Sequence, residues 1–230
     1  MIYAILAILV ILAIYGPQYW VQYVMHHYAK DLEEIPGTGS QLAKHLIERY
    51  ALEGVIVEET QANQDHYDPI NKAVRLSPQN YHGRSLTAIA VATHEVGHAI
   101  QFYRQEPVSK LRKKYLPMAL MIKKIGIGAI MLMPVLTAIV RVPQVAIGLT
   151  ALGVLAMLVS ALMYLIILPE ELDASFNKAL PILNKGDYIK PTQERAVRKI
   201  LQAAALTYFA AALADIVRLW RWFVYLRAFR

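Results

Sequence analysis

The stretch Thr93-His94-Glu95-Val96-Gly97-His98-Ala99 decides how the rest of the chain is read. It is an H-E-x-x-H sequence inside Ser85 to Tyr103, where the apolar run Leu86, Ala88, Ile89, Ala90, Val91 and Ala92 behind a Ser85 N-cap predicts a buried helix. At 3.6 residues per turn, positions four apart share a face, so His94 and His98 can offer imidazole nitrogens to one tetrahedral zinc. Glu95 projects beside them, where a carboxylate can take a proton from water whose pKa the metal has lowered to near ~7. Gly97 and Ala99 keep the surroundings small, as a close-packed site requires. The motif also arises by chance, and paired helical histidines often pack or face solvent, so the buried context is what favours the metal reading.

Composition narrows the class. Of 230 residues, 57% are hydrophobic, too many for one ordinary soluble domain and suggestive of a membrane protein. With no cysteine there is neither a disulfide framework nor a thiolate ligand, so histidines and carboxylates must do all the metal binding. The net charge of +7 sits beside apolar segments, where lipid headgroups and the positive-inside bias account for it. No nucleic-acid motif is present, and none is expected as a partner.

Working outward, residues 1–25 predict a first membrane helix, uncharged and long enough for a bilayer, with Tyr15, Tyr19, Trp20 and Tyr23 as an interfacial belt. A basic n-region and a small-residue cleavage site are lacking, which argues against a signal peptide. Residues 26–115 read as a zincin-like α+β region. A helix capped by Ser40 runs to about Leu52 with Leu42, Leu46, Ile47 and Tyr50 buried; Val55 to Val57 and Ala73 to Leu76 are strands, and Gln61 to Asn71 is a loop between them. An edge strand of such a sheet can hold an extended substrate by main-chain hydrogen bonds. Residues 116–168 predict a membrane hairpin broken only at Arg141-Val142-Pro143-Gln144, with Lys123 and Lys124 snorkelling or facing protein. Residues 169–199 are polar again, and 200–230 form a last membrane or interfacial helix. The fold class is a mainly α membrane protein with a small sheet, an H-E-x-x-H helix and about four transmembrane helices.

His94-Glu95-Val96-Gly97-His98, followed beyond the hairpin by Glu171-Leu172-Asp173-Ala174, resembles the gluzincin arrangement of membrane zinc peptidases. The chain is similar to the YugP-like family of neutral zinc metallopeptidases, related in layout to the HtpX and Ste24 membrane proteases. The likeness also covers Asp65 to Pro69, Val74 to Ser77, Tyr81 to Ser85 and Ala203 to Tyr208. It implies that Glu171 is the third zinc ligand. Ser175 stands where the HtpX-like pattern carries an aspartate, which leaves open whether Asp173 or Ser175 supports the ligands. Glu170 is a lesser rival to Glu171, since neighbours on a helix point about 100° apart. His66 lies on the strand side of the cleft and is expected to touch substrate rather than metal.

The expected function is an integral membrane zinc endopeptidase with one Zn2+ per chain, ligands His94, His98 and Glu171, and Glu95 as general base. The alternative is a zinc-binding membrane scaffold or regulator without turnover, which would gain nothing from a general base beside the metal. His66, Tyr67, Val74, Arg75, His82 and Arg84 are candidate substrate or transition-state contacts; loop-stabilising roles compete with these. His26, His27 and His45 read as surface or interfacial. Expected partners are a peptide or membrane-protein substrate and the lipid bilayer, with homo-oligomerisation and a regulatory membrane partner left open. Residues 26–124 hold 13 Lys plus Arg and 169–199 hold six, against one in the Arg141 loop, so a multi-pass cell-membrane protein with a cytoplasmic catalytic region is expected.

Overall fold

Runs rich in Leu, Ile, Ala and Met favour helix, and most of this chain obeys that preference. The computed structural model describes residues 2–140, 143–207 and 209–210. In chain order α1 spans Ile2–His27, α2 Gly39–Arg49, β1 Ile56–Glu59, β2 His66–Asp68, β3 Ala73–Leu76, α3 Pro78–His82, α4 Leu86–Tyr103, α5 Pro107–Val140, α6 Pro143–Leu172, α7 Leu180–Lys185 and α8 Glu194–Ala205. A π-helical turn occupies Asp173–Ala179 and a 3-10 turn Pro191–Gln193. The chain divides into two units, an apolar one built on Leu111–Leu168 with residues up to Gln18, and a polar one made of Tyr19–Lys110 and Pro169–Thr207.

The apolar unit is a helical hairpin. A Cβ on Gly126 would lie 2.8 Å from the Ala156 Cβ, and one on Gly153 would run into the Ile130 side chain, so α5 and α6 approach as closely as two bare backbones allow. Ser160 Oγ donates to Ala119 O at 3.2 Å, and Ala119, Tyr164 and Ile167 form a small core there. Outward-facing Ile139, Leu155 and Leu162 are more than half exposed, as side chains that meet lipid would be. Two stretches among the described residues are long and apolar enough to cross a membrane, Pro107–Leu132 and Ile147–Lys185. These are two of the about four expected; α1 is a 26-residue helix, and the expected C-terminal segment beyond residue 210 lies outside the described residues.

The polar unit places the site. α2 is capped by Thr38 and not by Ser40: Thr38 Oγ1 accepts from Gln41 N, and Gln41 Oε1 accepts from Thr38 N, a reciprocal capping box that Ser40 cannot make. Leu42, Leu46 and Ile47 are buried as the periodicity predicts. The sheet has the order β1-β3-β2, with β1 parallel and β2 antiparallel to β3. β2 falls inside the segment expected to be a loop; three residues are too few to carry a readable period, and pairing with β3 makes them a strand. α4 starts as expected at an N-cap Ser85, whose hydroxyl accepts from Ala88 N at 3.1 Å. Its first turn is pinned to the end of α1, with Thr87 Oγ1 donating to Met25 O at 2.9 Å. α8 buries Val197, Ile200, Leu201 and Ala203 to Ala205, so Ile200–Ala205 is core of the polar unit.

Candidate metal centre

Residues His94 to Gln101 of α4 are all buried. Helical spacing brings His94 and His98 to one face, and their Nε2 atoms lie 3.2 Å apart. The third member comes from the end of α6: Glu171 Oε2 is 3.2 Å from His98 Nε2 and 3.3 Å from His94 Nε2. Gly97 permits this approach, because a Cβ there would already sit 3.0 Å from Ala174 O and 3.3 Å from the Lys178 Cβ, on the π turn that follows Glu171.

The protons on these rings are fixed from behind. His94 Nδ1 lies 3.0 Å from Ser175 Oγ, whose own hydrogen goes to Leu201 O at 2.9 Å. The hydroxyl is therefore an acceptor, and His94 Nδ1–H donates to it. His98 Nδ1 lies 2.9 Å from Gln101 Oε1, while Gln101 Nε2 donates to Glu170 O at 3.1 Å and to Asp173 Oδ2 at 2.8 Å. That amide orientation makes Nδ1 the donor again. Both Nε2 atoms then present lone pairs toward a carboxylate oxygen.

Three lone-pair atoms turned on one another repel unless a cation lies among them. Donors 2.0–2.1 Å from a tetrahedral zinc lie about 3.3–3.4 Å apart, close to the spacing of these three atoms. His94, His98 and Glu171 can together hold one metal ion, and a set of two imidazoles and one carboxylate fits zinc. Glu95 is 6% exposed, and its Oε2 has no hydrogen-bond partner, as expected of an acceptor kept for a water or substrate proton.

A family model described as "Putative neutral zinc metallopeptidase" matches residues 3–227. The chain belongs to that family. It is also 33% identical over 225 residues, 94% of each chain, to the "Putative membrane protease YugP" of Bacillus subtilis (strain 168). No solved structure matches this member of the family significantly.

The other candidate residues have their hydrogen bonds elsewhere. Arg75 on β3 meets Glu58 of β1 at 2.9 Å and Asp68 of β2 at 2.7 Å, binding both edge strands to the central one. Burial works against the Asp68 charge, but hydrogen bonds from Asn71 and Ile70 together with Arg75 outweigh it and lower its pKa to about 2. Arg84 gives two hydrogen bonds to Ile35 O, at 2.9 and 2.7 Å. His82 is exposed and faces Glu59 Oε2 at 3.1 Å. Val74 is fully buried in the central strand. Tyr67 is buried against Phe102 of α4, with ring centroids 5.7 Å apart, and burial raises its pKa. His66 Nδ1 lies 2.7 Å from Gln64 O.

Two supporting residues were less legible. Gln101 lies one turn beyond His98 at i+3, a spacing that could have drawn attention. Asp173 reaches the site only through Gln101, and is held in turn by Asn177 at 2.7 Å and Lys178 at 3.0 Å. Ser175 contacts His94 directly and Asp173 reaches His98 through Gln101, so both stand behind the candidate ligands by different routes.

Proposed function

We propose that this protein is an integral membrane zinc endopeptidase. The observation that carries the reading is the convergence of His94 Nε2, His98 Nε2 and Glu171 Oε2 at 3.2–3.3 Å; next in sequence to His94 on α4 is Glu95, whose buried Oε2 has no hydrogen-bond partner. Zinc, when bound, supplies Lewis acidity that polarises a peptide carbonyl and acidifies water. His94, His98 and Glu171 orient it, with Ser175 and Gln101 holding the rings. Glu95 takes the proton of the attacking water and returns it to the departing amine. β2 is an edge strand packed beside α4, so the main-chain groups of His66–Asp68 are suited to pair with an extended peptide.

The chain crosses the membrane several times in this reading. Both polar regions face the cytoplasm, as their excess of Lys and Arg over the Arg141 loop requires. Cysteines introduced at Asn63 and Gln144 should label from opposite sides, and labelling of Asn63 from outside intact cells would reverse the orientation. For the chemistry, Glu95→Gln should retain one zinc and lose about 10²–10⁴-fold in hydrolysis of a peptide library. Unchanged turnover would remove the mechanism.

A further inference from the structure

Where α1 ends, the polar unit holds a pocket of about 610 Å3 that the proposed reaction does not use. One wall is the end of α1 and the chain just beyond it, with His26, Lys30 and Asp31; the other is α3 with Gln79, His82 and the C-cap Gly83. Backbone hydrogen bonds fix these walls to each other: Leu32 N donates to Arg84 O at 3.0 Å, and Thr87 N to Tyr28 O at 3.2 Å. Arg84 N also donates to Asp31 Oδ1 at 2.8 Å. The pocket is therefore built before anything enters it, which lowers the cost of binding.

Its polar groups are of both signs and largely unspent. The Lys30 ammonium, the His26 ring and the Gln79 amide have no side-chain partner among the described residues, and neither does Asp31 Oδ2. His82 is engaged with Glu59 Oε2 at 3.1 Å. One cation beside one carboxylate suits a ligand that itself carries both charges. A phosphate can accept hydrogen bonds from Lys30, His26 and Gln79, and a primary ammonium can donate to Asp31. A bare phosphate or an acidic headgroup leaves the Asp31 charge opposed, and a quaternary ammonium has no N–H to give it. Depth supplies the source of such a ligand. Residues 2–25 carry no charged side chain, Tyr19 and Tyr23 stand 72% and 56% exposed in the last two turns of that stretch, and His26 follows directly. Aromatic rings so placed mark the level of lipid headgroups. We propose that this pocket binds the headgroup of a phosphatidylethanolamine-type lipid, its phosphate against Lys30, His26 and Gln79 and its ammonium against Asp31. This rests on the membrane reading above and not on the zinc chemistry.

The test follows thermal unfolding of the full chain in detergent, with phosphatidylethanolamine, phosphatidylcholine or phosphatidylglycerol in mixed micelles, and with water-soluble glycerophosphoethanolamine. Phosphatidylethanolamine should raise the melting temperature by about 2–4 °C, and the other two lipids by less than half as much. Lys30→Gln and Asp31→Asn should each bring the ethanolamine lipid down to the level of the choline one; the asparagine keeps an oxygen for Arg84 N, so the wall stays fixed. Equal shifts from all three lipids, a larger shift from the anionic lipid, or a full ethanolamine preference in either variant would overturn the proposal. A soluble compound as effective as the lipid would overturn the lipid source. The three-lipid comparison on wild type decides by itself if neither variant folds. Release of wild type from membranes by alkaline carbonate would instead overturn the membrane reading.

Discussion

In the sheet, Arg75 is met by Glu58 and Asp68 at 2.9 and 2.7 Å, and each charge answers another. At the middle of α4, His94, His98 and Glu171 turn three lone-pair atoms on one another at 3.2–3.3 Å, each at most 3% exposed. Each cluster includes a glutamate, and both lie in the polar unit. One joins three strands by ion pairs, while the other gathers three atoms that can together hold one metal ion. What separates them is geometry: in one, donors face acceptors, and in the other two imidazole nitrogens and a carboxylate oxygen face a common point.

The contrast breaks most visibly at its open end. Glu171→Ala removes one of three metal donors and should weaken zinc by more than the ~10–100-fold that loss of an outer partner costs, so the variant purifies largely metal-free by elemental analysis. His66→Ala, on the sheet side, should keep its zinc. The reverse pattern would move the third ligand to the sheet and erase the distinction. Next in size is Gly97→Val: the first added carbon already lies 3.0 Å from Ala174 O, and crowding the π turn should cost about 1–3 kcal/mol in thermal unfolding. A variant as stable as wild type would show that the turn can move away without loss.

Smaller effects sharpen the comparison. Ser175→Ala leaves His94 Nδ1–H without its acceptor, and a competition assay should show zinc about tenfold weaker; unchanged affinity would assign the hydroxyl to Leu201 O alone. In the sheet the effect is one of pH. Asp68 has its folded pKa depressed to about 2 from 3.8, so its stabilisation is full above the unfolded value and is lost as pH falls through the folded one. Between pH 5 and pH 2 wild type should lose about 1–2 kcal/mol more stability than Asp68→Asn in urea unfolding. Parallel loss in both proteins would mean that the Asp68 network does not hold the sheet.

Much was legible in the residues themselves. The α4 boundaries, β3 and the buried face of α2 follow from local rules, because capping and side-chain periodicity act over a few residues. The pairing of His94 with His98 is equally local, four positions on one helix. What sequence periodicity missed had two sources: β2 is a strand because β3 pairs with it, and Thr38 rather than Ser40 caps α2 because a capping box needs its partner, Gln41, three residues on.

Sequence by itself determined a long apolar hairpin, a buried H-E-x-x-H helix and a cysteine-free donor set limited to histidine and carboxylate. Resemblance pointed to Glu171. Only the tertiary structure decided that the Glu171 oxygen lies at ligand spacing from both imidazoles while Glu170 turns toward the back of His98. It also decided that Ser175 and Gln101 set the ring protons. Residues more than 70 positions apart share no helical or strand period, so their meeting depends on how α4 packs against the π turn, where a missing Cβ at Gly97 sets the distance.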